Sequence, residues 1–212
     1  MNKIYYIDIK KLQASFTYEE LYNMVSLYRK NKVNRLKLDK DKWLSLGVEY
    51  LLINGLKELN IDYSMIEIEH IENNKPVFKN CPDELYFNLS HSGEMAMCII
   101  SDYEVGCDIQ EKLEKENYLE IAKKFFHPKE FEIIQNAKNE EKLDYFYRIW
   151  VLKESYIKNT GRGLGTPLNQ FRISLDNNHK LYINEILNND YYFEEKETGD
   201  PNYKSAFCIK LK

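Results

Sequence analysis

Apolar residues along this chain recur with two different periods, and each change of period marks an element. Residues 3 to 9 alternate weakly and predict a first strand. Thr17 followed by Glu20 forms a capping-box pattern, and Leu21, Val25 and Tyr28 continue behind it at helical spacing. A second helix is predicted from about Asp39 to Leu59, with Trp43, Leu46, Tyr50 and Ile53 on one face. Short strands follow near Met65–Ile71, Leu85–Ser90, Met95–Ser101 and Val105–Gln110. The middle of this set predicts a hairpin that turns near Ser92 and Gly93.

The helical period returns from about Glu116. Pro128 suits the first turn of a helix that runs to about Ala137. A longer helix is predicted from about Glu140 to Thr160, stopped by Gly161. Strand-like pieces at Phe171–Leu175, Lys180–Ile186 and Ser205–Leu211 complete the pattern. Each half therefore reads as helices with a small, mostly antiparallel sheet, which makes the chain α+β. No stretch is rich enough in Pro, Gly or Ser to mark a free hinge.

Composition adds limits. With 212 residues, 43% hydrophobic and 30% charged, the chain can bury an ordinary core and is not expected to be disordered. A net charge of −4 argues against nucleic-acid binding by bulk charge. Within that acidic chain, residues 29–42 hold seven Lys or Arg against two Asp, a local surplus of five positive charges. Such a patch suits a polyanionic ligand, although a solvated helix face would read the same way. Cys81, Cys98, Cys107 and Cys208 form no CxxC pair and no zinc-like spacing with histidine. Cys98 and Cys107 stand in apolar runs and read as small core residues. No apolar stretch has the length of a leader at the N-terminus or of a membrane span, so the expected setting is cytoplasmic.

Three constellations carry chemistry. In Val105–Gln110, strand alternation turns Val105, Cys107 and Ile109 to the core and sends Asp108 and Gln110 together to the other face. A carboxylate beside an amide oxygen suits a hard cation such as Mg2+; a solvated strand face is the alternative. On the Glu140–Thr160 helix, Leu143, Phe146, Tyr147, Trp150 and Ile157 form an apolar stripe with Glu154 near its middle. A carboxylate there requires a partner, either a metal or an ion pair with Lys158 one turn later. One metal would account for Asp108 and Glu154 together. Lys75-Pro76 and Ser90-His91-Ser92-Gly93 add turn-borne phosphate donors to the basic stretch. His70, His127 and His179 look isolated and receive no role.

Read in order, these pieces resemble the Sfp-type (surfactin-synthetase-activating) 4'-phosphopantetheinyl transferases. The resemblance rests on Lys75-Pro76, Phe87–Gly93, Gly106-Cys107-Asp108-Ile109, Phe125–Glu130 and Trp150–Lys158, continuing into Gly161-Arg162-Gly163-Leu164 and Pro167-Leu168. It implies an α+β pseudodimer of two similar halves, here 1–105 for coenzyme A and 106–212 for the metal and the carrier, with the site between them. It implies an enzyme of holo-[acyl-carrier-protein] synthase type, Mg2+-dependent and monomeric. Coenzyme A would be the substrate and the serine of an apo acyl or peptidyl carrier protein the acceptor. Asp108 and Glu154 match the metal carboxylates, and Lys158 the lysine at the pyrophosphate. Ser90 and His91 match residues around the 3'-phosphate, and Lys75 and Pro76 the nucleotide motif. Lys32 and Ser45 match looser coenzyme A contacts. Glu154 is the preferred general base and Lys158 the alternative; Arg162, Lys123 and Lys124 are candidate docking charges. Many relatives carry a glutamate where this chain has Gln110, so a third ligand at that position is an amide or a water it orients. A non-catalytic coenzyme A- or carrier-binding protein on the same fold is the competing reading.

Overall fold

Two long helices and two three-stranded sheets carry the architecture. The computed structural model describes residues 1–82, 84–114 and 117–211, with Leu164 described by its backbone alone. The expected helix start at Glu116 and the Leu164 side chain lie outside the described residues. In chain order the first elements are β1 (Asn2–Asp8), α1 (Ile9–Ser15), α2 (Tyr18–Met24), α3 (Leu27–Val33) and α4 (Asp39–Glu58). Then come β2 (Ile68–His70), β3 (Pro76–Phe78), β4 (Tyr86–Ser92), β5 (Met95–Ser101) and β6 (Val105–Glu111). The helices α5 (Tyr118–Phe125), α6 (Pro128–Asn136) and α7 (Asn139–Thr160) follow. The last strands are β7 (Phe171–Ile173), β8 (Leu181–Ile183), β9 (Ile186–Asn188), β10 (Tyr191–Lys196) and β11 (Tyr203–Lys210).

The sheets are antiparallel, in the orders β1-β5-β4 and β10-β11-β6, with a β2–β3 hairpin and a small β7-β8-β9 sheet beside them. β5 is buried along its whole length because both of its faces are apolar. Ala96, Cys98 and Ile100 pack against Val48, Leu51, Leu52 and Leu56 of α4. Met95, Met97 and Ile99 point the other way, onto Val105, Cys107, Ile109 and Phe207 of the second sheet. β11 repeats the arrangement: Tyr203, Phe207 and Ile209 face the first sheet, while Ala206 and Cys208 face Val151, Leu152 and Tyr156 of α7. The layers are thus α4, first sheet, second sheet, α7, with one sheet and one long helix from each half. The 105/106 division falls at the first residues of β6.

Two glycines set the spacing between layers. A Cβ on Gly55 would stand 2.6 Å from Ile100 Cδ1 and 2.7 Å from the Tyr5 ring, so α4 lies close on the first sheet. A Cβ on Gly106 would stand 2.2 Å from both Asn159 N and Ser155 O, so α7 lies directly on β6.

Most expected elements are present, and several need correction. The helix begun at the Thr17 capping box ends at Met24: Val25 is extended, and Ser26 caps a new helix by accepting from Arg29 N. The expected strand at Lys180–Ile186 is a hairpin, turned by Asn184 and Glu185 at φ 51° and 63°. Within the expected Met65–Ile71 strand only Ile68–His70 pairs, following a short 3-10 turn. α1 and β10 were not anticipated. The histidines are not isolated: His127 caps α6, His179 bonds Ser174 O and Glu195, and His70 stacks on Tyr28 at 3.8 Å. Cys98, Cys107 and Cys208 are buried and free, as the apolar runs require for the first two. No helix among the described residues is long and apolar enough to cross a membrane.

Candidate active site

The second sheet ends at β6, whose outer edge carries backbone N–H groups with no strand to receive them. Alternate side chains of β4 receive them instead. Asn88 Oδ1 accepts from Cys107 N at 2.9 Å, Ser90 Oγ from Ile109 N at 3.4 Å, and Ser92 Oγ from Glu111 N at 3.0 Å. The alternation of Asn88, Ser90 and Ser92 thus joins the two sheets through side chains and fixes β6 in register with β4. It also aims the intervening residues of β6, Asp108 and Gln110, toward α7.

Asp108 is 1% exposed and fully engaged. Its Oδ1 accepts from Ser90 Oγ at 2.8 Å and from Lys158 Nζ at 2.6 Å, and its Oδ2 accepts from Gln110 Nε2 at 3.0 Å. This overturns the alternative of a solvated strand face. The expected side-by-side placement of Asp108 and Gln110 holds, with the Gln110 oxygen accepting from Ser92 Oγ at 3.2 Å. Lys158 pairs with Asp108, not with Glu154 as helical spacing suggested, and its ammonium also donates to Ser90 Oγ at 2.8 Å. Burial works against that charge, but Asp108 outweighs it and holds Lys158 above the usual lysine range. Glu154 is buried beside them with no direct hydrogen bond or ion pair among the described residues. Burial, then the charge of Asp108, raises its carboxyl above the ordinary range.

Ser90, His91, Asp108, Gln110, Trp150, Glu154 and Lys158 line one cleft of about 290 Å³ with Leu89. A second cleft of about 320 Å³ shares Leu89, Glu154 and Lys158 and adds Asn73, Lys75, Pro76, Asn88, Gly161 and Gly163. The structure therefore brings together Asp108, Gln110, Glu154, Lys158, Ser90, His91, Lys75 and Pro76. The Ser90 hydroxyl donates once and accepts twice, so its side chain is spent on the seam and the Asp108–Lys158 pair. Lys75 Nζ donates to Asn159 O at 2.5 Å and Asn73 Nδ2 to Gly161 O at 2.8 Å, tying the β2–β3 loop to the end of α7. The His91 imidazole is pushed down to about 4 by the crowding of protein around it and by the charges of Lys32, Lys158 and Arg29.

The basic stretch divides by environment. Lys32 is exposed, and Lys42 pairs with Asp39. Arg29 is buried against Glu49 of α4, and Ser45, expected to face ligand, is buried with its hydroxyl accepting from Arg29 Nη1 at 3.2 Å. Sequence reasoning placed Trp150 in a core stripe and missed that its ring borders the cleft. Its signal was the position one turn before Glu154.

No group of three or more His, Cys, Asp or Glu gathers among the described residues. Two buried carboxylates from separate elements nevertheless converge, one of them with no direct partner and a raised carboxyl. That set suits a hard cation that keeps several waters, such as Mg2+, and a cation there would relieve the repulsion between Asp108 and Glu154.

Comparison with known proteins shows the family. The family described as the 4'-phosphopantetheinyl transferase superfamily matches residues 104–208, a span that includes Asp108, Gln110, Glu154 and Lys158. 4'-Phosphopantetheinyl transferase Sfp of Bacillus subtilis is 30% identical over 207 residues, covering 97% of this chain and 91% of that protein. 4'-Phosphopantetheinyl transferase gsp of Aneurinibacillus migulanus is 32% identical over 80% of this chain and 69% of its own. The human L-aminoadipate-semialdehyde dehydrogenase-phosphopantetheinyl transferase is 29% identical over 73% of this chain and 57% of its own. With a relative matched along nearly the whole of both chains and a cleft built from β4, β6 and α7 within it, this chain belongs to the 4'-phosphopantetheinyl transferase superfamily.

Proposed function

We propose that the chain transfers the 4'-phosphopantetheine group of coenzyme A to a serine of an apo acyl or peptidyl carrier protein, as an Sfp-type enzyme. The observation that carries the reading is the convergence of Asp108, Glu154 and Lys158 in one cleft between the two sheets and α7. Asp108 and Glu154 would hold Mg2+, with Gln110 orienting a water through its amide. Bound Mg2+ supplies charge neutralisation to the pyrophosphate oxygens. Lys158 would hold the pyrophosphate. Arg29, Lys32 and His91 engage the 3'-phosphate end, and Lys75 and Pro76 border the nucleotide. Glu154 takes the proton from the carrier serine Oγ; Lys158 is the alternative base. The serine oxygen bonds to the β-phosphorus as the bridging P–O bond breaks, and 3',5'-ADP leaves with the electron pair. Lys123 and Lys124 of α5, with Arg162, present positive charge to an acidic carrier helix. The two halves divide the labour, 1–105 on coenzyme A and 106–212 on metal and carrier, within a monomer.

The test is incubation with coenzyme A, Mg2+ and a panel of apo-carriers, read by intact mass. A carrier that gains one phosphopantetheine supports the reading. Coenzyme A binding with no carrier modified, across fatty-acid, polyketide and nonribosomal-peptide carriers, would favour a non-catalytic binder.

A further inference from the structure

Arg29 is a buried cation with donors to spare. Its residue is 7% exposed, its Nε donates to Glu49 Oε2 at 2.7 Å and one Nη1 proton goes to Ser45 Oγ. A guanidinium has five N–H groups, so three have no partner among the described residues. Arg29 lines a cavity of about 930 Å³ with Tyr28, His70, Pro76 and Leu89. Pro76 and Leu89 also wall the cleft that contains Glu154 and Lys158.

Glu49 is held more tightly than an ion pair requires. Its Oε1 accepts from Ser26 N at 2.6 Å and from Tyr63 OH at 2.7 Å, while Oε2 takes Arg29. These contacts come from the α2–α3 junction, the 3-10 turn at Tyr63–Met65 and α3, so three segments fix one carboxylate. An arginine tied at Nε by an immobile carboxylate presents its remaining edge in one direction. Such an edge suits a doubly charged phosphate.

Coenzyme A has phosphate in two places, the pyrophosphate and the ribose 3'-phosphate. The first belongs with Asp108, Glu154 and Lys158. Leu89 lines both the Arg29 cavity and the cleft of Asp108, Glu154 and Lys158, so the two groups of cations border one another. We infer that Glu49 is a positioning residue: it fixes the Arg29 guanidinium so that the unpaired N–H groups meet the 3'-phosphate of coenzyme A. The inference rests on the transferase reading above.

The test uses the full chain and two probes, coenzyme A and 3'-dephospho-coenzyme A, with dissociation constants measured by calorimetry. The wild type should prefer coenzyme A by roughly tenfold or more, as loss of a charge-assisted contact implies. Glu49→Gln should erase most of that preference and leave affinity for the dephospho form within about twofold. In an Arg29→Ala background, adding Glu49→Gln should change the preference no further. Equal loss for both probes, or a further narrowing in the Arg29→Ala background, would overturn the inference. If Glu49→Gln does not fold, Tyr63→Phe removes a single hydrogen bond from the carboxylate and should narrow the preference a few-fold. An unchanged preference there overturns the inference as well. A wild type that binds both probes equally yet modifies carriers sinks the Glu49 role and spares the transferase reading. The reverse result, full discrimination with no carrier modified, spares Glu49 and sinks the transferase.

Discussion

Among the described residues, each half of the molecule has one ion pair with both side chains buried, and the two pairs are built differently. In the second half, Lys153 of α7 is 0% exposed and Glu130 of α6 is 1% exposed. The lysine donates to Glu130 Oε1 at 2.9 Å and to Phe171 O at 2.7 Å, and Glu130 Oε2 stands 2.8 Å from the ammonium, none of which is open to solvent. Glu130 Oε1 also accepts from Ile173 N, so the pair locks α6, α7 and β7 together. In the first half, Glu49 is saturated but Arg29 is not. A closed pair has nothing left for a ligand, whereas an open pair has donors left beside a cavity. Burial and charge alone do not separate a structural ion pair from a binding one; the count of unused donors does.

The contrast can be broken at its closed side first. Lys153→Ala should destabilise the fold by about 3–5 kcal/mol, because it leaves Glu130 buried without its cation. Lys153→Met combined with Glu130→Leu should recover most of that loss. Urea denaturation reads both, and a double variant no better than the single one would show that the pair is more than structural. At the reacting site, Asp108→Ala or Glu154→Ala should lower transfer at least about 100-fold while the unfolding midpoint stays near wild type. Near-normal turnover at saturating Mg2+ in either variant removes the metal assignment.

A third charged group in the second half titrates in an accessible range. His179 donates toward Glu195, which Arg148 also grips. Burial opposes the imidazolium, yet Glu195 and Ser174 O raise His179 above its usual value. Burial likewise opposes the Glu195 carboxylate, but His179 and Arg148 hold it down at about 2. The histidine's contribution to stability is therefore full below about pH 6.5 and fades as pH rises through its folded value. That of Glu195 is full above about pH 4.3 and fades as pH falls toward its folded value. His179→Gln should cost about 1 kcal/mol at pH 6 and flatten the fall in melting temperature between pH 6 and 8. An unaltered slope would place the titration elsewhere.

The smallest expected effect sharpens the site. Gln110→Ala should lower transfer only a few-fold, since water can take the place of the amide. Gln110→Glu sets a second carboxylate where an amide now donates to Asp108, so added Mg2+ should raise its melting temperature more than that of the wild type. Damage from Gln110→Ala equal to that from Asp108→Ala would make the amide a direct ligand.

Periodicity gave the long elements and singled out Asp108, Gln110, Glu154 and Lys158, but not their partners. α4, α7 and the hairpin at Gly93 were legible because their apolar spacing and terminal residues agree. The break at Val25 was hidden because Leu21, Val25 and Tyr28 keep helical spacing across it, and only the Ser26 cap separates the two helices. Arg29 read as part of a solvated basic run because Glu49 lies a helix away, and no local pattern announces a partner 20 residues on. Lys158 chose Asp108 over its helical neighbour for the same reason: Gly106 lets β6 approach α7 so closely that the strand's carboxylate is nearer. β10 escaped notice because its polar and apolar positions alternate poorly, and its partner β11 is what makes it a strand.

The side-chain seam between β4 and β6 has a consequence beyond catalysis. A sheet edge with open N–H groups invites any passing extended chain to add itself, the first step in aggregation. Asn88, Ser90 and Ser92 fill that edge with hydroxyl and amide oxygens, leaving no row of donors for an intruding strand. The residues that hold the halves in register thus also protect the chain from its own kind at high concentration.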